Sequence, residues 1–229
     1  MKTVFLTDLL VLKRIGAQLL PLFFVVSCVI GFCTASLYTL VGCMSAMSPF
    51  IVLFSLVAYD DLKGWESFRA SLPVSRRDMV LGRYLSVLSV SLFCACLAVL
   101  AGFVIGNIAL GFPGDEGIVS SFAMQSDYLA LIFTGVVCFS LLIALVSFSF
   151  PIIMKYGLTK GTRLFPLLLV LLIPLVSFGL QQVIPEFDPM EALAWLTEPK
   201  MIVAAFFLSL ALYGLSALLS MRIYRNKEL

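Results

Sequence analysis

Asp, Glu, Lys and Arg are absent from five long stretches of this chain: Ile15–Tyr59, Tyr84–Gly114, Tyr128–Met154, Leu164–Pro185 and Met201–Met221. A helix needs roughly 20 apolar residues to cross a hydrocarbon layer about 30 Å thick, so each stretch is long enough to span a bilayer and the first is long enough to do so twice. The runs are continuously apolar and do not alternate, which selects helices over a β-barrel. The expectation is an all-α, polytopic membrane protein with six transmembrane helices. Composition agrees: 62% of the residues are hydrophobic and 12% are charged, about half the charged share of a soluble domain.

The boundaries follow from where charge and turn formers return. The first two spans are expected at about Leu19–Tyr38 and Ser45–Tyr59, with a turn near Tyr38–Gly42. The third is expected at about Tyr84–Leu110, the fourth at Tyr128–Met154 with Pro151 near its end, the fifth at Leu164–Ile184 and the sixth at Met201–Met221. Before them, residues 1–14 place Phe5, Leu9 and Leu12 on one helical face. That pattern suits a short helix lying at the interface and retained in the protein, because no small-residue cleavage site follows Lys13 and Arg14. Between spans five and six, residues 185–199 read as an outer helical insert, with Asp188 as cap, Pro189 at the first helical position and Trp195 as an interfacial anchor. The chain as a whole, 1–229, reads as one transmembrane domain.

Lys and Arg are retained on the cytoplasmic side of membranes. With the amino terminus inside, Lys2, Lys13, Arg14, Lys63, Arg69, Arg76, Arg77, Arg83, Lys155, Lys160, Arg163, Arg222, Arg225 and Lys227 all fall on that side, and Lys200 alone falls outside. Both termini are therefore expected in the cytoplasm, with the protein in the cytoplasmic membrane. The outer loops carry Asp115, Glu116, Asp127, Glu186, Asp188, Glu191 and Glu198. No charged residue is expected within a span, which disfavours ion-coupled transport, since such pumps keep ionisable groups in the bilayer to carry the driving ion.

The longest cytoplasmic piece, 60–83, carries the most information. Asp60 or Asp61 can cap a short helix on which Trp65, Phe68 and Leu72 form one apolar stripe, ended by Leu72-Pro73. Ser75 followed by Asp78 signals a second helix, continuing through Arg83 and Tyr84 into the third span. On physical grounds alone, this elbow could simply lie on anionic lipid.

The run WESFRASLPVSRRDMVLGRYL resembles the intracellular loop of permease subunits in type 2 ATP-binding cassette (ABC) exporters, and is similar to that of small bacterial peptide-exporter permeases. An aromatic residue, Leu-Pro, Ser-Arg with a following acid, and Gly-Arg-Tyr lead into the third span. Here these are Trp65, Leu72, Pro73, Ser75, Arg76, Asp78, Gly82, Arg83 and Tyr84. The resemblance implies a coupling-helix loop that docks in a cleft of a separate ABC ATPase, with Trp65, Glu66, Phe68, Arg69 and Leu72 on the docking helix and Arg76 and Arg77 at its rim. It also implies pairing with a second permease copy or a related permease, surrounded by membrane lipid, and export of an amphipathic peptide or other hydrophobic substrate. No cofactor is expected on this chain. It lacks G-x-x-x-x-G-K-[S/T], so ATP and magnesium would be bound by the partner subunit. Nucleic acid is not among the expected partners.

Polar residues in or near the spans, Ser86, Ser89, Asn107, Gln181 and Gln182, are candidates for a substrate path, although such groups commonly bond to nearby carbonyls. Gly102-x-x-x-Gly106 permits close helix approach. Cys28, Cys33, Cys43, Cys94, Cys96 and Cys138 lie in apolar surroundings and read as packing residues. With no histidine present, neither a metal site nor histidine-based hydrolysis is expected, and the chain is not expected to be an enzyme. The competing function is a non-transporting membrane assembly or immunity protein.

Overall fold

The computed structural model describes residues 2–63, 75–111, 117–156 and 198–225, and all their regular structure is helical. In chain order the helices are α1 (Lys2–Cys33), α2 (Leu37–Lys63), α3 (Arg76–Gly111), α4 (Ile118–Met124), α5 (Tyr128–Tyr156) and α6 (Pro199–Arg225). Among the described residues, four stretches are long and apolar enough to cross a membrane: Leu37–Tyr59, Arg77–Gly111, Tyr128–Ile153 and Pro199–Ile223, with a shorter apolar stretch at Leu20–Cys33. Their outward surface is apolar: Val25, Phe93, Leu100, Val104, Phe207 and Leu208 are all exposed. That is the reverse of a water-soluble bundle and suits a lipid solvent. The expected fifth span and residues 185–197 of the outer insert lie outside the described residues.

An expectation near the amino terminus is corrected. Residues 1–14 and the first span were expected as separate helices, whereas α1 runs without a break from Lys2 to Cys33, with Pro21 inside it. Its first turns pack into the bundle along one face and leave Leu9 exposed on another. Val4, Asp8 and Leu12, spaced four apart, are the buried positions, because Gly82 of α3 lets Val4 approach until a Cβ there would stand 3.0 Å from Val4 Cγ1.

The first turn, expected near Tyr38–Gly42, lies at Thr34–Ser36. Ser36 N–H donates to Gly31 O and Ala35 N–H to Phe32 O, the paired bonds of a Schellman helix end. Ser36 then caps α2, its Oγ accepting from Thr39 N–H at 3.4 Å. Gly42 instead sits inside α2, where a Cβ would stand 3.2 Å from Cys138 Sγ of α5. Ala35 takes a left-handed φ of 48°, which costs an L residue roughly 1–2 kcal/mol. Ala35→Gly relieves that strain but gains disorder in the unfolded chain. A net stabilisation of about 0.5–1 kcal/mol is expected, read as a raised thermal midpoint in detergent; a lowered midpoint would contradict the turn geometry.

Pairwise contacts fix the directions. Gly102 of α3 faces Val41 of α2 so closely that a Cβ would come 2.5 Å from Val41 Cγ2, while Ser48 Oγ of α2 donates to Ser91 O of α3, so the two helices are antiparallel. Gly106 likewise faces Leu37, and the Gly-x-x-x-Gly pair thus serves α2–α3 packing within one chain. Gly135 meets Val99 and Phe150 stacks on Tyr84, making α5 antiparallel to α3. Along α5 and α6, Phe139 meets Phe206 and Ser147 meets Ser216, so those two are parallel neighbours. The core forms two clusters, one around Leu53, Val87, Ile143 and Phe150 and one around Leu37, Val41, Ala98 and Leu131.

The buried serines show how polar groups survive here. Ser45, Ser86 and Ser147 donate to Val41 O, Gly82 O and Ile143 O, at 2.7, 2.8 and 2.7 Å, and Ser91 does the same to Val87 O. Each of these four hydroxyls bonds a carbonyl one helical turn back and is satisfied in an apolar interior; Ser27 Oγ, also buried, has no such bond among the described residues.

Short helix α4, read in the sequence only as part of an outer loop, closes the end of the bundle that carries the 34–36 turn. Phe122 is its one buried residue and packs on Phe32, ring centroids 5.2 Å apart. Gln125 just beyond it accepts from Leu37 N–H at 2.9 Å and donates to Ala35 O at 3.3 Å, clamping the turn on both sides.

Candidate functional site

At the opposite end of the bundle, α3 begins where the sequence signals it. Ser75 Oγ accepts from Asp78 N–H at 3.1 Å, and the helix then continues without interruption through Gly82, Arg83 and Tyr84 to Gly111. Arg77 is exposed on the first turn; Arg76 is the first helical residue. Trp65, Glu66, Phe68, Arg69 and Leu72, the rest of the expected docking set, lie outside the described residues.

Three consecutive residues of α3 key this end together. Gly82 admits Val4 of α1, as above. Arg83 pairs with Asp8 of α1, Nε to Oδ2 at 4.0 Å, with both side chains buried. Arg83, assigned by sequence to the loop, lies near the start of the helix that carries the apolar stretch Arg77–Gly111. Asp8, assigned to an interfacial helix, is its buried partner. Each charge offsets the other where neither could remain alone.

Tyr84 reaches the other way, into α5 and α6. Its ring stacks on Phe150 at 3.9 Å and tilts against Tyr213 at 4.9 Å. Its hydroxyl lies 2.9 Å from Ser216 Oγ and 2.7 Å from Ser220 Oγ. Ser216 gives its one hydrogen to Ser147 O. The Tyr84 hydroxyl therefore donates to Ser216 and accepts from Ser220, so the chain of bonds is fully assigned. Tyr213 OH adds a bond to Tyr84 O at 2.8 Å. No sequence signal pointed to Ser216, Ser220 or Tyr213; i, i+4 serines facing a tyrosine one span away emerge only once α3 and α6 are paired.

The substrate-path candidates do not converge. Ser86 is buried and bonded to Gly82 O, and Ser89 donates to Ser86 O at 3.1 Å. Asn107, near the other end of α3, donates to Phe103 O and accepts from Tyr128 OH, both at 2.8 Å, joining α3 to the start of α5. Gln181 and Gln182 lie outside the described residues. The six cysteines are free, with Cys94 buried and Cys96 exposed, on different sides of α3 as their spacing requires.

A cavity of about 370 Å³ lies between α1, α2 and α3. Leu9, Leu12, Lys13, Leu20 and Phe23 line it from α1, Met44, Ser48, Ile51, Val52 and Ser55 from α2, and Val90, Phe93 and Cys94 from α3. Its wall is apolar except at Lys13 and Ser55; the Ser48 hydroxyl is turned away into bonds with Ser45 O and Ser91 O. The space can hold hydrocarbon; it offers no arrangement of groups for bond-making chemistry.

No curated protein and no solved structure matches the chain. A family model does, that of the ABC-2 family transporter protein, over residues 3–225. The match takes in all four apolar helices, the 60–83 segment and the keyed start of α3, and with it the chain belongs to the ABC-2 family of transporter proteins, as a multi-pass membrane permease.

Proposed function

We propose that this permease is the membrane subunit of an ATP-driven exporter, crossing the cytoplasmic membrane six times with both termini inside. It works with a separate ABC ATPase that binds ATP and magnesium, and pairs with a second copy or a related permease. The cargo is an amphipathic peptide or another hydrophobic molecule. Parallel packing of α5 and α6 supports the six-span count, since the residues between them must return across the bundle. The charge asymmetry of the loops supports the orientation.

The observation that best supports coupling is the length of α3. Its 36 residues make a rod of about 54 Å, longer than a bilayer of roughly 40–45 Å including headgroups. Its first turns therefore stand clear of the hydrocarbon while its body is locked to α1, α5 and α6 through Gly82, Arg83 and Tyr84. A displacement of the loop ahead of Ser75 is delivered to those helices as one rigid movement, as a transmission element between two states requires.

Co-expression with candidate cassette ATPases tests the reading. Copurification of one of them is expected. Trp65→Ala combined with Phe68→Ala should lower permease-stimulated ATP turnover by more than tenfold while membrane insertion stays normal. If no ATPase is retained and the chain purifies as a stable assembly by itself, a non-transporting scaffold or immunity role replaces this one.

A further inference from the structure

We infer that the cavity between α1, α2 and α3 is a binding site for one acyl chain of an anionic phospholipid, with the lipid phosphate held by Lys13. Three observations select that occupant. The depth fits: Met44 to Ser55 on α2 is roughly 16 Å of helix rise, the thickness of one leaflet of a hydrocarbon core about 30 Å across. The wall chemistry fits: with the Ser48 hydrogen committed inside the protein, Ser55 is the one other hydroxyl on the wall, so a peptide backbone in this space would lose its hydrogen bonds to water and find few replacements, whereas an acyl chain asks for none.

The charge fits as well. Lys13 is exposed and lines the groove; Gly31, further along α1, faces Leu40 of α2, so in this antiparallel pair Lys13 falls beside about residue 58 of α2. It therefore sits toward the end of the groove where the apolar stretch of α2 finishes at Tyr59, the level at which headgroups begin. A lysine there extends its ammonium toward phosphate while its stem covers the apolar wall. The bound chain would wedge α1 against α2 and α3. The inference is independent of the transport direction and of the ATPase.

Native mass spectrometry of the full-length protein tests it, after exchange into detergent containing equal amounts of phosphatidylglycerol and phosphatidylcholine with the same chains. One retained lipid is expected, with phosphatidylglycerol favoured about fivefold, the discrimination one basic residue provides at a membrane surface. Lys13→Gln should erase that preference and Lys13→Arg should keep it. Ile51→Trp, which fills the space without removing a hydrogen bond, should abolish retention of either lipid. Equal retention of both lipids by the unsubstituted protein, an undiminished preference in Lys13→Gln, or lipid still retained by a folded Ile51→Trp protein would each overturn the assignment. Lys13→Gln alters only an exposed side chain, so the test does not depend on the bulkier variant folding.

Discussion

Tyr84→Ala is expected to destabilise the permease by about 3–5 kcal/mol, the range for deleting a buried aromatic side chain. The loss has two parts that a second substitution separates. Tyr84→Phe keeps the stack on Phe150 and the contact with Tyr213 and removes only the hydroxyl. Ser216 retains its bond to Ser147 O, and Ser220 can turn back to a carbonyl of its own helix, as Ser45 and Ser147 do. The phenylalanine variant should therefore cost about 1 kcal/mol. Thermal unfolding in lipid nanodiscs measures both. Equal losses for the two variants would mean that the hydroxyl chain, rather than the aromatic packing, holds α3 to α6.

The second large effect concerns Asp8 and Arg83. Removing one member of a buried ion pair takes the opposite charge away from the other, at a cost of about 3–5 kcal/mol, whereas replacing both with apolar residues of similar size is often neutral or stabilising. Arg83→Met alone should thus release the first turns of α1 from α3, seen as faster proteolysis near Lys2–Lys13 and a lower thermal midpoint. Asp8→Leu combined with Arg83→Met should restore most of the loss. A single variant within about 1 kcal/mol of the parent protein would show that the two charges are solvated rather than buried together.

These two joints mark the limit of what the sequence discloses. Charge-free runs gave α5 to within two residues, and Ser75 with Asp78 announced the start of α3, because both signals are local: a span must be apolar, and a helix start needs a cap. The turn after α1 was misplaced because its usual signal, a glycine in the left-handed position, is absent. Ala35 takes that conformation while Gly42 serves a helix contact. α4 was missed since only Phe122 on it is buried, too little to create a periodic pattern.

Arg83 was assigned to the cytoplasmic loop and Asp8 lay within the expected interfacial helix, with nothing to join them. What makes them partners is the unbroken course of α1 and the missing side chain at Gly82, which are matters of tertiary packing. Family membership followed the loop residues named in the sequence, while the cavity beside Lys13 depends on the gap left between three helices. No single helix encodes that gap, so nothing in the sequence pointed to it.

The Tyr84 cluster also sets an order for the protein's birth. Ser216 is made 132 residues after Tyr84, so during synthesis the tyrosine enters the membrane long before its acceptor exists. Until α6 arrives, its hydroxyl must find temporary partners in water at the interface or along its own helix, and α3 and α5 present an unfinished polar seam. A chain stalled before α6 would leave that seam open to the bilayer, whereas the arrival of Ser216 and Ser220 closes it.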